Sequence, residues 1–208
     1  MDLGELARTR RSLHSYTDDE LTKDAIMGLF ETVRTAPSSF NLQPWEFLTV
    51  RSESGKERLK DCAYGQQHVT DASAVVVVLG HLNRSSFAER TLEDQVEKGY
   101  RSRENADELL DMFEHEELQD NVEWTVQSCT IAATYLMLAA WNNGIASCPM
   151  AGFDPRSVEN EFDVPENLHP VLMVTLGYPD LSSREWNRER KWRRDVEDMV
   201  NFEELSFS

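Results

Sequence analysis

The sequence predicts an α+β protein that forms a single domain of 208 residues. Helical and strand-like patterns follow one another irregularly, in the order helix, helix, strand, helix, strand, two long helices, strand, helix, strand and tail. That order is not a regular βαβ repeat, and no GxGxxG motif follows the first strand, so a Rossmann dinucleotide site is not indicated. With 40% hydrophobic residues, the chain can fill one core.

The first half of the chain predicts two helices and two strands. An opening helix covers residues 2–9. A second helix runs from a cap at Asp18 to about Arg34, since apolar residues recur there at helical spacing. WEFLTVRS predicts a strand and SESGKERLKDCAY a short helix. SAVVVVLGH is a continuous β-branched run, which is typical of a strand buried on both faces.

The second half predicts longer helices and two further strands. Residues 85–118 are charged and roughly helical, and they look the least ordered. DNVEWTVQSCTIAATYLMLAAWNNG predicts a helix capped by Asp120 or Asn121 and ended by Gly144. It is apolar on nearly every face, so we expect it to be buried all round, in a large core or between subunits. IASCPM and HPVLMVTLGYP predict strands, with a short helix over residues 155–162 between them.

The charge balance excludes several classes of partner. The chain has 38 acidic and 21 basic residues, for a formal charge of −17. Such a surface repels nucleic acids and anionic membranes, so we expect neither as a partner. The basic residues are mostly arginine and the acids are spread along the chain, a pattern that suits a high-salt (halophilic) cytoplasm, where salt screens the repulsion between like charges. The alternative is an ordinary acidic protein.

Nothing in the sequence predicts a membrane span, a leader or a metal site. The apolar stretch CTIAATYLMLAAW is shorter than the roughly 20 residues that cross a bilayer. The first residues, MDLGELARTRRS, lack the apolar core of a signal peptide, so we expect a cytoplasmic protein. Cys62, Cys129 and Cys148 show no metal-ligand spacing, and we interpret them as reduced thiols.

Two basic clusters stand out in so acidic a chain. One holds Arg8, Arg10 and Arg11; the other lies within residues 188–194 of the tail, which covers residues 180–208. Neighbouring arginines repel each other unless an anion or carboxylates lie between them, and arginine suits bidentate phosphate recognition. Either both clusters pair with the plentiful acids, or they converge on a phosphate, with Ser12 adding a hydroxyl and an N–H.

Two connecting segments are rich in groups that a ligand could use. APSSFNLQPWEF, residues 36–47, carries hydrogen-bonding side chains between two apolar elements, stiffened by Pro37 and Pro44. GIASCPMAGFDP is a small-residue turn between a strand and a helix, where Gly152 permits close backbone approach. Taken alone, the first can be simple helix termination and the second an ordinary strand-to-helix turn.

The order of these segments resembles the nitroreductase family of flavin enzymes. RRS, APSSFNLQPWEF, GQQHVTDASAVVVV, GIASCPMAGFDP and KWRRDVEDMV follow one another at suitable spacing, from about Ala7 to Val200. The resemblance implies a nitroreductase-like fold with a central mixed sheet flanked by helices, an intertwined homodimer, and FMN at the subunit interface. It also implies that the long helix forms the dimer core.

The resemblance assigns FMN-binding roles to residues from several segments. Arg10, Lys191 and Arg193 (or Arg190) would hold the phosphate, and Arg11, Ser12 and His14 would line the ribityl and pyrimidine side. Pro37, Ser38, Ser39 and Asn41 of the first connecting segment would come from the partner subunit. Pro149, Met150, Ala151 and Gly152 of the second would lie along the isoalloxazine, with the N–H of Ala151 or Gly152 near flavin N5.

The sequence departs from the family at three places. Many members have lysine where this chain has His14 and His68, and a histidine can be neutral at pH 7. Many have proline where this chain has Asp195, so the register of the tail is open by one residue. Residues 85–118 match no motif, and in the family this region shapes the substrate entrance. The wall of that entrance would be formed by Met112 and Phe113 from this segment, with Phe40 and Trp124 from outside it.

The implied activity is the NAD(P)H-dependent reduction of a small electron acceptor, a nitroaromatic or a quinone, by ping-pong hydride transfer through flavin N5. No side-chain nucleophile is needed, and the chain has neither a GxSxG nor an HExxH motif. Three alternatives stay open: another reaction of the fold such as reductive dehalogenation or flavin breakdown, a flavin-binding redox sensor or carrier, and a phosphate-binding scaffold without flavin.

Overall fold

The computed structural model describes residues 2–115 and 121–205. In that part of the chain the α-helices are α1 Leu3–Thr9, α2 Lys23–Val33, α3 Glu53–Cys62, α4 His68–Asp71, α5 Ser85–Glu97, α6 Arg103–Glu114, α7 Val122–Asn142 and α8 Pro155–Glu161. The strands are β1 Trp45–Val50, β2 Ala74–His81, β3 Ala146–Met150 and β4 Leu168–Gly177. The predicted α+β class is confirmed, and of these elements only the one-turn α4 had no counterpart in the sequence prediction.

The four strands form one sheet in the order β1-β2-β4-β3. All three neighbouring pairs are antiparallel, with Val76 opposite Val174 and Cys148 opposite Thr175. The expected mixed sheet is therefore not seen within these strands, because each strand runs opposite to its neighbour. Within the described residues, parallel pairing is limited to an isolated bridge between Ser12 and Ser147. That bridge brings the segment after α1 alongside β3.

Helices cover both faces of the sheet and create two cores. On one face α2 and α7 pack against alternate residues of β2, such as Val76 and Val78. On the other face α3 and α8 pack against Val75 and Val77. Successive residues of a strand point to opposite faces, so the valine run contributes to both cores. The prediction that this strand is buried on both faces is confirmed.

The predicted start of α2 at Asp18 is wrong. The N-cap is Thr22, whose hydroxyl accepts a hydrogen bond from the Ala25 N–H at 3.1 Å. Residues before it run in a non-helical path because Leu21 is buried and its N–H donates to Ser73 Oγ at 2.6 Å. Both Asp and Thr are good N-caps, and it is the tertiary contact of Leu21 that selects the later one.

The charged segment after β2 is regular rather than poorly ordered over its described part. Helices α5 and α6 share a third small core, which includes Leu92, Ala106 and Phe113. Asn121 stands at the N-cap position of α7, as predicted, but its side chain does not cap the helix. Its Nδ2 instead donates to Leu82 O at 2.9 Å. The alternative cap, Asp120, lies outside the described residues.

Helix α7 is not buried all round in the single chain. Leu136 and its neighbours pack under the sheet, but Thr130, Ile131 and Thr134 are exposed. The helix ends as predicted, with Gly144 just beyond it at φ +73°, a conformation that glycine adopts without a steric penalty. The exposed face is available for a contact with a second subunit, and the role of α7 in such a contact stays a prediction.

The helices and the cysteines can be compared with two further predictions from the sequence. None of the helices within residues 2–115 and 121–205 combines the length and the apolar character that crossing a bilayer requires. The three cysteines are free thiols, as the sequence predicted, and the structure shows in addition that they are buried.

Candidate functional site

The two basic clusters converge on one cavity of about 380 Å³ at the β3 edge of the fold. The segment after α1 forms one wall and the C-terminal tail forms the other. Six basic and two acidic side chains are among its lining residues: Arg10, Arg11, Arg188, Arg190, Lys191 and Arg193, with Glu185 and Glu189. Acids therefore balance only part of the positive charge, which favours an anionic ligand over simple internal pairing.

Arg10 lines this cavity with a guanidinium nitrogen that is not hydrogen-bonded in the described part of the chain. Its Nη1 is buried and has no hydrogen-bond partner within residues 2–115 and 121–205. Burial, and then the charge of Arg190, lower the pKa of the Arg10 guanidinium. The Arg190 side chain also donates to the backbone carbonyl of Arg10 at 3.2 Å. A buried donor without an acceptor is costly, and an anion in the cavity would relieve both the unsatisfied nitrogen and the repulsion.

Arg11 has a different role from Arg10. Its Nη1 donates to Trp186 O at 2.9 Å and its Nη2 donates to Arg188 O at 2.7 Å. These bonds fasten the tail to the segment after α1, so Arg11 lines the cavity while its guanidinium is already occupied. Its contribution is to fix the wall that carries the other cations.

Glu185 is a site residue that the sequence prediction missed. Its carboxylate accepts from His14 Nδ1 at 2.8 Å, from the His14 N–H at 2.7 Å and from the Ser15 N–H at 3.1 Å. Burial alone would raise the pKa of Glu185, but these hydrogen bonds outweigh it and the pKa lies below its ordinary value. An acid just before a run of basic residues was the only signal in the sequence.

A cluster of histidine and sulfur side chains adjoins the arginine cavity. His14 and His68 stack edge to face, with ring centroids 4.5 Å apart. The Cys148 thiol lies 3.2 Å from His14 Nε2, and Met150 Sδ lies 3.1 Å from His68 Nε2. His14 also lines the arginine cavity. The cluster therefore connects the basic cavity to the end of β3.

Helix α4 places His68 in this cluster. The Lys56 ammonium from α3 donates to the carbonyls of Thr70 and Ala72 at 2.9 and 2.6 Å, which satisfies the C-terminal end of the helix. Burial, and then His14, lower the pKa of His68. This shift favours the neutral ring, which offers one hydrogen-bond donor and one acceptor rather than a charge.

The turn after β3 is open, as its predicted role requires. Pro149 is half-buried and Met150 is buried, whereas Ala151 and Gly152 are exposed. Gln66 Nε2 donates to Gly152 O at 2.6 Å and so fixes the orientation of the peptide. The structure thus brings residues 149–152, both histidines and the arginine cavity to one edge of the sheet.

The polar loop after α2 does not meet the arginine cavity within one chain. Phe40, Asn41 and Gln43 all have positive φ, at 54°, 59° and 51°, and Ser38 Oγ accepts from the Gln43 N–H at 2.8 Å. Positive φ costs energy for such residues, so this conformation is held by its surroundings. Asn41 lines a separate cavity beside α5, and Pro37 and Ser39 are exposed.

The structure divides the residues predicted for the substrate entrance. Phe40 contacts Phe113 edge to face at 5.3 Å, and the Arg84 guanidinium lies over the rings of both Phe113 and Trp124. Phe113 is 2% exposed and belongs to the third core, whereas Met112 is 45% exposed. Phe113 therefore lines no open surface of the single chain, because it fills the space between α5 and α6.

A larger cavity lies elsewhere in the fold. It measures about 750 Å³ and lies between α8 and the start of β4, where Asp154, Glu159, Glu166 and Arg156 are among the lining residues. This cavity contains none of the residues of the two basic clusters, and from the connecting segments it takes only Asp154 and Pro155, at the end of the second. Its size alone gives it no chemistry, and the arginine cavity is the better candidate for a ligand site.

The sheet order and the helices on both faces define an α+β protein, with a basic cavity between its N-terminal segment and its tail. Comparison with known sequences identifies the class further. The model of the Nitroreductase family matches residues 7–178. The chain is 30% identical over 202 residues to MhqN of Bacillus subtilis strain 168, described as an NAD(P)H nitroreductase, covering 95% of this chain and 97% of that protein. The chain belongs to the nitroreductase family.

Other relatives and solved structures agree. A Thermus thermophilus protein named NADH dehydrogenase is 29% identical over 180 residues, covering 86% of this chain and 87% of that protein. The crystal structure of a Bacillus subtilis nitroreductase, ydfN, superposes with a TM-score of 0.85 at 29% identity, covering 96% and 97% of the two chains. A nitroreductase of Exiguobacterium sibiricum in complex with FMN has a TM-score of 0.83 at 25% identity, covering 97% of each chain.

Proposed function

We propose that this chain is an FMN-dependent oxidoreductase that oxidises NAD(P)H and reduces nitroaromatic or quinone-type acceptors. The observation that carries the proposal is the buried Nη1 of Arg10, which has no hydrogen-bond partner in the described chain and lies in a cavity with five other basic side chains. The names of the relatives support the reaction class, and the FMN complex of the Exiguobacterium protein supports the cofactor.

The residues present fit a flavin phosphate. A phosphate is an anion with several acceptor oxygens, and guanidinium groups recognise it through paired N–H donors. Arg10 supplies a buried donor that lacks an acceptor, while Arg190, Lys191 and Arg193 supply exposed charge from the tail. Arg11 and Glu185 hold the two walls together, so the charges are positioned before a ligand arrives.

The remaining flavin contacts follow the edge of the sheet. Ser12 and His14 lie next to the arginine cavity, His68 contacts His14, and residues 149–152 continue the surface. The exposed backbone of Ala151 and Gly152 would face the reacting part of the ring system. A neutral His68 would orient the pyrimidine edge by hydrogen bonding, and positive charge there would come from the arginines.

When bound, FMN supplies hydride acceptance from NAD(P)H and hydride donation to the second substrate at N5, in two successive half-reactions. The chain's own residues bind and orient the reactants, and no side-chain nucleophile is required. Phe40 of the loop after α2 and Trp124 of α7 are proposed to border the acceptor site, with Met112 of α6 at its rim.

We also propose that the working form is a homodimer, located in the cytoplasm. Within one chain the loop over residues 37–41 lines a cavity different from the arginine cavity. A second copy would bring Pro37, Ser38, Ser39 and Asn41 over the flavin, with the exposed face of α7 at the contact. The conformation of the loop supports this arrangement. The positive φ angles at Phe40, Asn41 and Gln43 are already set in the single chain, so binding would not cost the entropy of ordering the loop.

Titration with FMN and with riboflavin tests the proposal. The two ligands share the ring system and ribityl chain, and only FMN carries the phosphate. If the arginine cavity holds that phosphate, FMN binds at least about 100-fold more tightly than riboflavin at the same salt concentration, which corresponds to about two charge-assisted hydrogen bonds. Equal affinities, or no binding of either ligand, would overturn the assignment.

A further inference from the structure

Three metal-ligating side chains meet beside the arginine cavity, and the proposed flavin chemistry does not need them as a group. One ring nitrogen of His14, one of His68 and the Cys148 thiol all lie within 4.8 Å of one another. They come from the segment after α1, the first residue of α4 and the middle of β3. We propose that His14, His68 and Cys148 form a binding site for a thiophilic monovalent metal ion, Cu⁺.

The ligand types and their separation suit such an ion. Two imidazoles and a thiolate are a ligand set for copper or zinc, and carboxylate-rich sites for magnesium or calcium look different. Metal–nitrogen and metal–sulfur bonds of about 2.0–2.3 Å place ligand atoms about 3–4 Å apart. The observed Cys148 Sγ to His14 Nε2 distance is 3.2 Å. Small rotations of the side chains therefore suffice to close the site around an ion.

One of the ligands is already oriented by a neighbouring carboxylate. Glu185 accepts from His14 Nδ1 at 2.8 Å, which leaves Nε2 directed toward the thiol. This carboxylate–histidine arrangement is the usual support of a metal-binding imidazole, since it fixes both the tautomer and the ring. On binding, the metal–sulfur bond replaces the thiol S–H bond and the proton passes to solvent.

Two observations favour Cu⁺ over Zn²⁺. Met150 Sδ lies 3.1 Å from His68 Nε2, so a thioether is available beside the cluster, and thioethers select soft ions. The adjoining cavity is strongly basic. Cu⁺ with a thiolate is a neutral unit, whereas Zn²⁺ with one thiolate keeps a positive charge that the arginines would repel. The 45% exposed side chain of His14 provides access for the ion.

The sequence did not predict this site because its ligands are far apart along the chain. His14 and Cys148 are 134 residues apart, and only the pairing of the segment after α1 with β3 brings them together. The site shares His14 and His68 with the proposed flavin contacts, so Cu⁺ and FMN would compete for these two side chains. The titration of the flavin-free chain therefore tests the metal site by itself, and FMN binding is measured separately.

An anaerobic competition titration tests the site. The full chain as purified, with its flavin content recorded by absorbance, is titrated with Cu⁺ against a chromophoric Cu⁺ chelator, and the titration is repeated after flavin removal. We expect one Cu⁺ per chain after flavin removal, and less Cu⁺ uptake when the flavin is bound. Cys148→Ser, which is nearly isosteric, should bind at least about 100-fold more weakly, because loss of a supporting residue alone typically costs 10- to 100-fold. Cys62→Ser, at another buried cysteine on α3, should bind like the wild type.

His68→Gln is the second variant, since its partly exposed position makes a folding defect less of a concern. It should also weaken Cu⁺ binding, with unchanged circular dichroism. Equal Cu⁺ affinity in the wild type and in Cys148→Ser would overturn the site, and tighter retention of Zn²⁺ than of Cu⁺ would overturn the choice of ion. Loss of FMN binding with Cu⁺ binding intact would contradict the proposed function alone.

Discussion

Glu185 in the C-terminal tail accepts hydrogen bonds from both the ring and the backbone of His14, with Nδ1 to Oε1 at 2.8 Å and N to Oε2 at 2.7 Å. The two residues are 171 positions apart. This contact, with the Arg11 bonds to Trp186 and Arg188, closes the arginine cavity. The same imidazole then presents Nε2 to Cys148. One carboxylate therefore connects the arginine cavity to the cluster of histidine and sulfur side chains.

Replacing Glu185 should weaken the folded state in a pH-dependent way. The folded-state pKa lies below the ordinary value of 4.5, so the contribution is complete above about pH 4.5 and is lost as the pH falls through the folded pKa. We expect Glu185→Gln to cost roughly 1.5 kcal/mol at pH 7, with the difference from wild type shrinking below pH 4.5. Urea unfolding across this range measures it. Glu189→Gln, at an exposed acid of the same cavity, is the control, and a pH-independent difference would contradict the account.

Removing the Arg10 guanidinium should affect FMN but not riboflavin. Arg10→Met keeps the apolar stem and deletes the buried donor, so we expect FMN affinity to fall by about 10- to 150-fold, the equivalent of 1.5–3 kcal/mol. Riboflavin affinity should stay the same because it has no phosphate. Arg34→Met, at an exposed arginine paired with Glu31 on α2, provides the control. A parallel loss for both ligands would indicate a folding defect rather than a phosphate contact.

Gly80 lies where α7 packs closely on β2. A Cβ there would lie 2.1 Å from Thr125 Cγ2 and 2.8 Å from Cys129 Sγ, so Gly80→Ala forces the helix and strand apart. We expect a destabilisation of about 1–3 kcal/mol, measured by urea unfolding. Gly28→Ala is the matched substitution in α2, where a Cβ meets nothing within 4 Å. It should stabilise by about 0.5–1 kcal/mol, and similar effects at the two sites would refute this packing.

Tyr16 anchors the segment that carries the site. Its hydroxyl donates to Leu13 O at 2.7 Å and lies 2.6 Å from Thr175 Oγ1 of β4. Burial raises the pKa of this phenol, so it stays neutral at working pH. Tyr16→Phe should cost about 1–2 kcal/mol. A double-mutant cycle with Thr175→Val should show coupling of at least about 0.5 kcal/mol; strictly additive effects would mean that the pair does not interact.

Much of the fold follows from local patterns. The valine run of β2 and the small-residue turn after β3 are read directly from residue type, and each lies where the sequence placed it. The start of α2 was misplaced because Asp18 and Thr22 are both good caps. The later cap is selected by the buried Leu21, whose N–H donates to the hydroxyl of Ser73, 52 residues further along the chain.

The site was only partly accessible from the sequence. Arginine clusters in an acidic chain predicted either pairing with the plentiful acids or convergence on an anion, and charge alone did not decide between the two. The contact of His14 with Cys148 had no local signature, because it depends on one bridge between the segment after α1 and β3. Phe113 was misjudged for a similar reason. An aromatic residue on a charged helix can face a ligand or a neighbouring helix, and only the packing of α5 on α6 decides.

The most direct test of the central claim is the absorption spectrum of the purified protein at high salt, before and after anaerobic addition of NADH or NADPH. We predict a yellow protein whose flavin bands bleach on addition and return when a quinone or a nitroaromatic is supplied. A protein that stays colourless even with added FMN would contradict the account. Flavin bands that do not bleach with either donor would contradict the proposed reaction while leaving flavin binding in place.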